Sequence, residues 1–216
     1  MKQISKGDPP KVFSDWVAKE KPRSWDDLHT SKSKPVYEGL VVALRAEQGN
    51  LCCYCEQELH DGKTHVEHFH GRPNPKLAYD YGNLHASCNG DKSKCEDKHC
   101  CGHRRAEKQK ESYGKLVSPL DGDVELRFKY DEKGEMQPTK QDDGIAQSTI
   151  DILGLNCEKL KRLRQKTFLD IQYQKPTMTD TDFVEWIRRR LEKNSDDHFS
   201  EFWTVVDFFF GSRATL

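Results

Sequence analysis

The chain has 216 residues, of which 34% are hydrophobic and 33% charged, with a formal net charge of -1 and a mean hydropathy of -0.92. Ten Phe, seven Tyr and four Trp can seed a core, which argues against a disordered chain, and no apolar run approaches the roughly 18–20 residues of a membrane span. The opening Met1-Lys2-Gln3-Ile4-Ser5-Lys6 lacks the apolar stretch of a secretory leader, so the reading is a soluble cytoplasmic protein.

In chain order, the first 33 residues read as irregular, with Gly7, Pro9, Pro10 and Pro22 between charges and with Trp16 and Trp25 as docking points. A helix is predicted from Pro35. Tyr37, Leu40, Val41 and Leu44 fall at i, i+3, i+4 and i+7, and Gly49-Asn50 stops it. From Leu51 to about Ala106 the helical period disappears and Cys, His, Gly and Asn take over, a composition that folds around metal better than around a core. Val124 to Tyr130 alternates at period two and Asp131-Glu132-Lys133-Gly134 makes a turn, which predicts a small hairpin. The remainder reads as helices. Asn156 is a candidate N-cap for a helix burying Leu160, Leu163, Phe168 and Ile171. Thr179 with Asp182 resembles a capping box ahead of Phe183, Trp186, Ile187 and Leu191, with Met178 and Phe183 as its staple. Phe199, Phe202, Trp203 and Val206 form the stripe of a last helix. The expected organisation is an N-terminal segment and helix over 1–50, a metal-rich centre over 51–115, a hairpin over 116–140 and a helical region over 141–216.

Seven of the eight cysteines and six of the nine histidines lie between Cys52 and Cys101. Buried thiols scatter, whereas metal ligands cluster, and in a reducing compartment such a cluster is a metal site before it is a disulfide framework. Cys52-Cys53-Tyr54-Cys55 carries the Cys-x-x-Cys spacing that chelates one zinc ion. The second pair is drawn from Cys88, Cys95, Cys100 and Cys101. A two-Cys, two-His finger is excluded: positions 72 to 74, where its second His belongs, hold Arg72, Pro73 and Asn74. A redox-active Cys-x-x-Cys would sit in a βαβ pattern, which is missing from this sequence.

His65-Val66-Glu67-His68-Phe69 carries the second signal. Strand alternation sends Glu67 and His68 to opposite sides, so a carboxylate can bind a catalytic metal while the imidazole stays unmetallated and takes a proton from water. Further on stand Tyr81-Gly82-Asn83-Leu84, with Asn83 ahead of Cys88, and Cys101-Gly102-His103-Arg104-Arg105. From Asp91 to Lys115 basic residues outnumber acidic ones, and Lys92, Lys94, Arg104, Arg105 and Lys108 are candidate phosphate contacts.

Cys-x-x-Cys, Glu-His, Asn-Leu-x-x-x-Cys and Cys-Gly-His, in that order, resemble the HNH (ββα-metal) endonucleases in their zinc-stapled form. More narrowly, Cys55-Glu56, Val66 to Phe69, Asn83 to Asn89 and Cys101 to His103, with the tail Thr149 to Asn156, look like the PtuB group of the Septu and retron-associated antiphage systems. The resemblance implies an α+β fold in which a zinc-stapled ββα-metal core is flanked by an N-terminal helix, a small hairpin and a helical tail. It implies that His68 is the general base, that Asn83 orients the loop presenting it, and that Glu67 and His103 hold Mg²⁺ or Mn²⁺. Cys52, Cys55, Cys88 and Cys101 would bind structural Zn²⁺, with Arg104, Arg105 and Lys92 against the nucleic acid. The insertion from Asn89 to Cys100 leaves Cys100 and Cys95 as rivals to Cys101, and His65 is another possible ligand. The implied activity is endonucleolytic cleavage of DNA, with tRNA or other RNA as the alternative target. The implied setting is an antiphage complex with an ATPase resembling PtuA, and in some cases with a retron reverse transcriptase and its DNA. The aromatic tail is then either packed on the chain itself or a docking surface for that ATPase. The competing reading is a non-catalytic zinc module that binds a protein or nucleic acid.

Overall fold

The computed structural model describes residues 1–70, 77–89, 100–107 and 114–211. Helices α1 (Lys11–Glu20) and α2 (Lys34–Glu47) precede an antiparallel pair, β1 (Thr64–His68) and β2 (Leu84–Cys88), and the short helix α3 (Cys101–Glu107). A second two-stranded sheet, β3 (Phe128–Tyr130) and β4 (Met136–Pro138), leads into α4 (Gly144–Leu153), α5 (Glu158–Gln174), α6 (Asp180–Leu191) and α7 (Trp203–Phe210). None of the described helices is long and apolar enough to cross a membrane.

Helix α2 forms where expected, with Pro35 in its first turn and Val36, Leu40 and Leu44 buried. Gly49 and Asn50 end it in left-handed conformations, and a Cβ at Gly49 would strike the ring of Phe199. The N-terminal segment is more ordered than its prolines suggest. Phe13, Trp16 and Val17 sit at i, i+3 and i+4 of α1, with Phe13 buried. A 3-10 turn at Trp25–His29 is capped reciprocally by Ser24 and Asp27. Trp25 is thereby a core residue.

The expected hairpin is shorter than its period-two run. Val124–Leu126 is a 3-10 turn, because the Asp121 carbonyl takes the Val124 N–H at 3.1 Å and leaves Leu126 in solvent. Only Phe128 to Tyr130 pairs, with Phe128 opposite Pro138 and Tyr130 opposite Met136. Asn156 is not the cap of α5. Its amide is taken by the Met136 N–H and carbonyl, at 2.9 and 2.8 Å, and Cys157 stands at the N-cap. Thr179 caps α6 by accepting from the Asp182 N–H, and Met178 packs with Phe183.

The last helix begins only at Trp203, so Phe199, Phe202, Trp203 and Val206 are not one helical stripe. Phe202 is left-handed, and its N–H donates to the Glu56 carbonyl at 3.1 Å. The buried Glu56 carboxylate accepts from Thr204 N–H at 2.8 Å and Thr204 Oγ1 at 2.5 Å, and pairs with the Met1 amino group at 3.1 Å. Phe202 and Val205 join the core cluster that also takes Leu28, Leu40, Val66, Phe128 and Leu160. The tail therefore closes the chain's own core, directly behind the Cys52–Cys55 turn. Among the described residues of the helical region, the large apolar side chains left exposed are Ile145, Leu169, Tyr173 and Val184.

Candidate metal and catalytic site

Four sulfurs converge where β2 ends and α3 begins. Those of Cys52, Cys55, Cys88 and Cys101 all lie within 4.8 Å of one another. Cys52 to Cys101 measures 3.9 Å and Cys55 to Cys88 measures 3.8 Å. A tetrahedral zinc with Zn–S of about 2.3 Å needs sulfurs about 3.8 Å apart, so the donors present fit that ion. The local chain explains the convergence. Cys52 to Cys55 is a tight turn in which the Cys53 N–H donates to the Ala86 carbonyl at 3.1 Å and the left-handed Glu56 donates back to the Cys52 carbonyl. The Cys88 N–H points at the Cys52 sulfur at 3.4 Å, and Ser87 Oγ lies 3.7 Å from it. Cys101, also left-handed, starts α3. Cys101 therefore completes the quartet among the described residues, Cys100 lies beside it, and Cys95 lies outside the described residues. Burial opposes ionisation of Cys52, yet the thiols of Cys101, Cys53, Cys55 and Cys88 around it hold its pKa low.

Glu67 and His68 do face opposite ways. In the β1–β2 ladder, His65 lies opposite Ser87 and Glu67 opposite His85, on the face that α3 covers. His65 Nε2 is 3.4 Å from Glu67 Oε2. Gly102 is the reason α3 can come so close: a Cβ there would meet the His65 ring and stand 2.7 Å from Glu67 Oε2. Two donor atoms 3.4 Å apart can share one ion with bonds of about 2.1 Å, so the residues present fit a divalent cation. His65 Nδ1 meets Asn89 Oδ1 at 3.1 Å. Burial and the Glu67 carboxylate act oppositely on His65, and the carboxylate outweighs burial and raises its pKa. Glu67 is held below the usual carboxylate range, since His65 and Arg105 outweigh its burial. His103 is one residue past Gly102, and its side chain lies outside the described residues.

On the other face, the His68 ring is 5% exposed. It stands edge-on to Trp25 at 4.3 Å, and its Nε2 lies 3.0 Å from the Ala78 carbonyl. That bond requires a proton on Nε2 and leaves Nδ1 as the acceptor nitrogen. Asn83 ties down the segment that leaves β1 and returns to β2. Its side chain accepts from the His70 N–H at 2.7 Å and donates to the Leu77 carbonyl at 2.9 Å, while its carbonyl takes the Phe69 N–H at 2.9 Å.

Arg105 departs from its expected place against nucleic acid. It is 5% exposed, and Nη1 donates to Glu67 Oε1 at 2.7 Å, Tyr54 Oη at 2.9 Å and the His68 carbonyl at 3.0 Å. Nη2 donates to the Phe69 carbonyl. Arg104 is half-buried, with Nε on the Asp151 carbonyl at 3.3 Å. Lys92, Lys94 and Lys108 lie outside the described residues.

Sequence reasoning missed Trp25 as the wall behind His68, for which composition offers no signal. It also missed His85. This imidazole is fully buried opposite Glu67, neither ring nitrogen has a hydrogen-bond partner among the described residues, and burial, with Lys6 adding to it, lowers its pKa to about 3.

No family model matches the chain. Two curated proteins are similar to it. "Retron Vc95 putative HNH endonuclease" of Vibrio cholerae serotype O1 biovar El Tor is 29% identical over 131 residues, 57% of this chain and 60% of that protein. "Retron Ec83 putative HNH endonuclease" of Escherichia coli is 25% identical over 202 residues, 77% of this chain and 78% of that protein. The match thus spans well under two thirds of the Vc95 protein and over three quarters of the Ec83 one. Both are distant relatives with the HNH endonuclease name and a retron setting, and they support a nuclease role for this chain.

Proposed function

We propose that the chain is a metal-dependent HNH endonuclease that hydrolyses phosphodiester bonds, of DNA in the first place and of tRNA or other RNA in the second. It acts as the effector of an antiphage complex with an ATPase and, in a retron setting, with a reverse transcriptase and its DNA. The observation that carries this reading is the arrangement around β1: His65 and Glu67 converge beneath α3 on one face, His68 is fixed on the other, and a four-cysteine cluster brings together the Cys52–Cys55 turn, the end of β2 and the start of α3.

In this reading Cys52, Cys55, Cys88 and Cys101 hold structural Zn²⁺. Glu67, His65 and His103 hold one Mg²⁺ or Mn²⁺. That ion would supply charge stabilisation at the phosphorus and the leaving oxygen. His68 takes the proton of the attacking water on its acceptor nitrogen, with the Ala78 carbonyl holding the tautomer and Asn83 holding the loop. Arg105 works from inside, keeping the Glu67 carboxylate ionised and aimed at α3. Arg104 and Lys92 remain the phosphate contacts. The exposed apolar side chains Leu169 and Tyr173 of α5 and Val184 of α6, rather than the tail aromatics packed on the core, are offered to a partner.

The second reading is a non-catalytic zinc module, and the near-complete burial of His68 against Trp25 favours it. Incubation with supercoiled plasmid and with tRNA, with and without Mg²⁺ or Mn²⁺, separates the two. Cation-dependent cleavage of either substrate supports the nuclease, and intact substrates under all conditions support the binding module.

A further inference from the structure

A cavity of about 510 Å³ opens between α1, the Lys6–Pro9 segment and the Tyr79–Gly82 segment, within the range of about 300–1,000 Å³ that small-ligand pockets span. Its lining is mostly apolar, with Phe13, Val17 and Ala18 on the α1 side and Tyr79 and Tyr81 on the other. The rings form one cluster: Phe13 lies 6.3 Å from Tyr79 and 6.5 Å from Tyr81. The charged group left free there is the exposed carboxylate of Asp80. Its Oδ1 accepts the Gly82 N–H at 3.0 Å, and its Oδ2 has no hydrogen bond or ion pair among the described residues. Lys6, the other charged lining residue, is already committed, because Nζ donates to Glu47 Oε2 at 2.7 Å and to the Leu84 carbonyl at 3.1 Å. The cavity also adjoins the candidate catalytic residue. Ala78 holds His68 through its carbonyl at 3.0 Å, and the next residue, Tyr79, lines the cavity. Tyr79 packs 5.5 Å from Trp25, the ring that His68 meets at 4.3 Å. An occupant of the cavity therefore presses on the segment that fixes His68.

We propose that this cavity takes the base of an unpaired guanine nucleotide in the substrate strand, a specificity that rests on the nuclease reading above. Aromatic walls suit a base because every base offers a π face, and an apolar lining favours its removal from water. A base within a duplex must leave its stack to enter such a cavity, and that step costs least where the base is already unpaired. Asp80 then chooses among the bases. An ionised carboxylate only accepts hydrogen bonds. Guanine offers it two adjacent N–H donors, at N1 and at the 2-amino group. Thymine and uracil flank their one imide N–H with carbonyl oxygens, which repel a carboxylate. Adenine and cytosine set a ring acceptor beside their amino group. The strand is thus selected by an unpaired position beside the scissile site, and filling the cavity braces the segment that carries the Ala78 carbonyl.

The test titrates the full chain, without added divalent cation, into fluorescent duplexes that differ only at one central position: fully paired, a bulged guanine or a bulged thymine. Anisotropy should show the bulged guanine bound about tenfold more tightly than the other two, the order expected for one bidentate base contact. Asp80→Asn keeps an acceptor for the Gly82 N–H and should erase the preference for guanine. Ala18→Trp, which fills the cavity from an exposed position on α1, should erase the preference for a bulge, with the unfolding midpoint of each variant recorded beside the parent. A 6-thioguanine at the bulge, irradiated at long wavelength, should crosslink to a peptide holding Phe13 or Tyr79. Equal affinity for the three duplexes, a guanine preference that survives both variants, or a crosslink elsewhere overturns the proposal and leaves the cavity to an apolar peptide. Adding Mg²⁺ or Mn²⁺ to the same mixtures separates this proposal from the nuclease reading. Cleavage by the parent with no preference for the guanine bulge overturns the cavity assignment alone. The preference without any cleavage overturns the nuclease reading alone and keeps the cavity as a nucleic-acid site.

Discussion

The carboxylate of Glu67 and the guanidinium of Arg105 meet at 2.7 Å with both side chains almost out of solvent, and that pair locks strand β1 to helix α3. Breaking a buried pair from one side leaves an uncompensated charge, which costs about 3–5 kcal/mol. Arg105→Ala should therefore destabilise the protein by that order in urea unfolding. Arg105→Lys should recover only a part, because an ammonium cannot reach Tyr54, Glu67, His68 and Phe69 together. Unchanged stability with a weaker salt dependence of nucleic-acid binding would instead return Arg105 to the surface role that its sequence suggests.

Asn83→Ala removes the side-chain bonds to His70 and Leu77 and leaves a buried donor and acceptor unmet. Stability should fall by about 1–3 kcal/mol. Because the same loop sets His68 against Ala78, cleavage should fall by about 10²-fold, the order expected for a misplaced catalytic group. Asn83→Asp keeps the acceptor for His70 and should lose less of both. Urea denaturation and plasmid cleavage on the same preparations check it.

Acid sensitivity has an identifiable contributor away from the candidate metal sites. Arg127 binds Asp143 through two hydrogen bonds, at 2.8 and 2.6 Å, and Asp143 also caps α4 by accepting from the Ala146 N–H at 2.9 Å. The Arg127 guanidinium holds the Asp143 carboxyl below its ordinary value, against a smaller opposing effect of burial. A depressed carboxylate contributes stability above its unfolded value of about 3.9 and loses it as pH falls through the folded one. Unfolding midpoints measured down to about pH 2.5 should fall less steeply for Asp143→Asn, which still caps the helix, than for the parent.

On the proposal that the quartet holds zinc, removing that ion should unfold the segment around it as well as stop cleavage. The β1, β2 and α3 segment has few apolar side chains of its own, and the quartet ties its ends to the Cys52–Cys55 turn. Chelation by a strong zinc chelator should release one zinc per chain and collapse the amide protection of β1 and β2 measured by hydrogen exchange. Cys52→Ser, Cys55→Ser, Cys88→Ser and Cys101→Ser should each lower zinc content, whereas Cys53→Ser should not.

The parts of the fold legible in the sequence are those set by local periodicity or ligand spacing. Leu40 and Leu44 give α2, Thr179 and Asp182 give the start of α6, and the Cys-x-x-Cys spacing of Cys52 and Cys55 gives half of the sulfur quartet, whose other half the sequence leaves open among Cys88, Cys95, Cys100 and Cys101. Alternation alone separates Glu67 from His68. The rest depends on partners distant in the chain. Asn156 looks like a helix cap until Met136 takes its amide, and Val124 looks like a strand residue until the Asp121 carbonyl turns it. Arg105 reads as a surface cation because its four acceptors come from the Cys52–Cys55 turn and the end of β1. Phe199, Phe202, Trp203 and Val206 read as one helical stripe because Glu56, which sets the start of α7, is almost 150 residues upstream. Burial of His85 could be inferred only from the register that puts it opposite Glu67.

The most direct measurement is divalent-cation-dependent cleavage by His68→Ala beside the parent, on plasmid and on tRNA, with zinc content and unfolding midpoint recorded for both. The account predicts that the parent cuts with Mg²⁺ or Mn²⁺, and that His68→Ala loses about 10³-fold or more of that rate, several kcal/mol of barrier, while keeping its zinc. Cleavage by His68→Ala at the parental rate would contradict it.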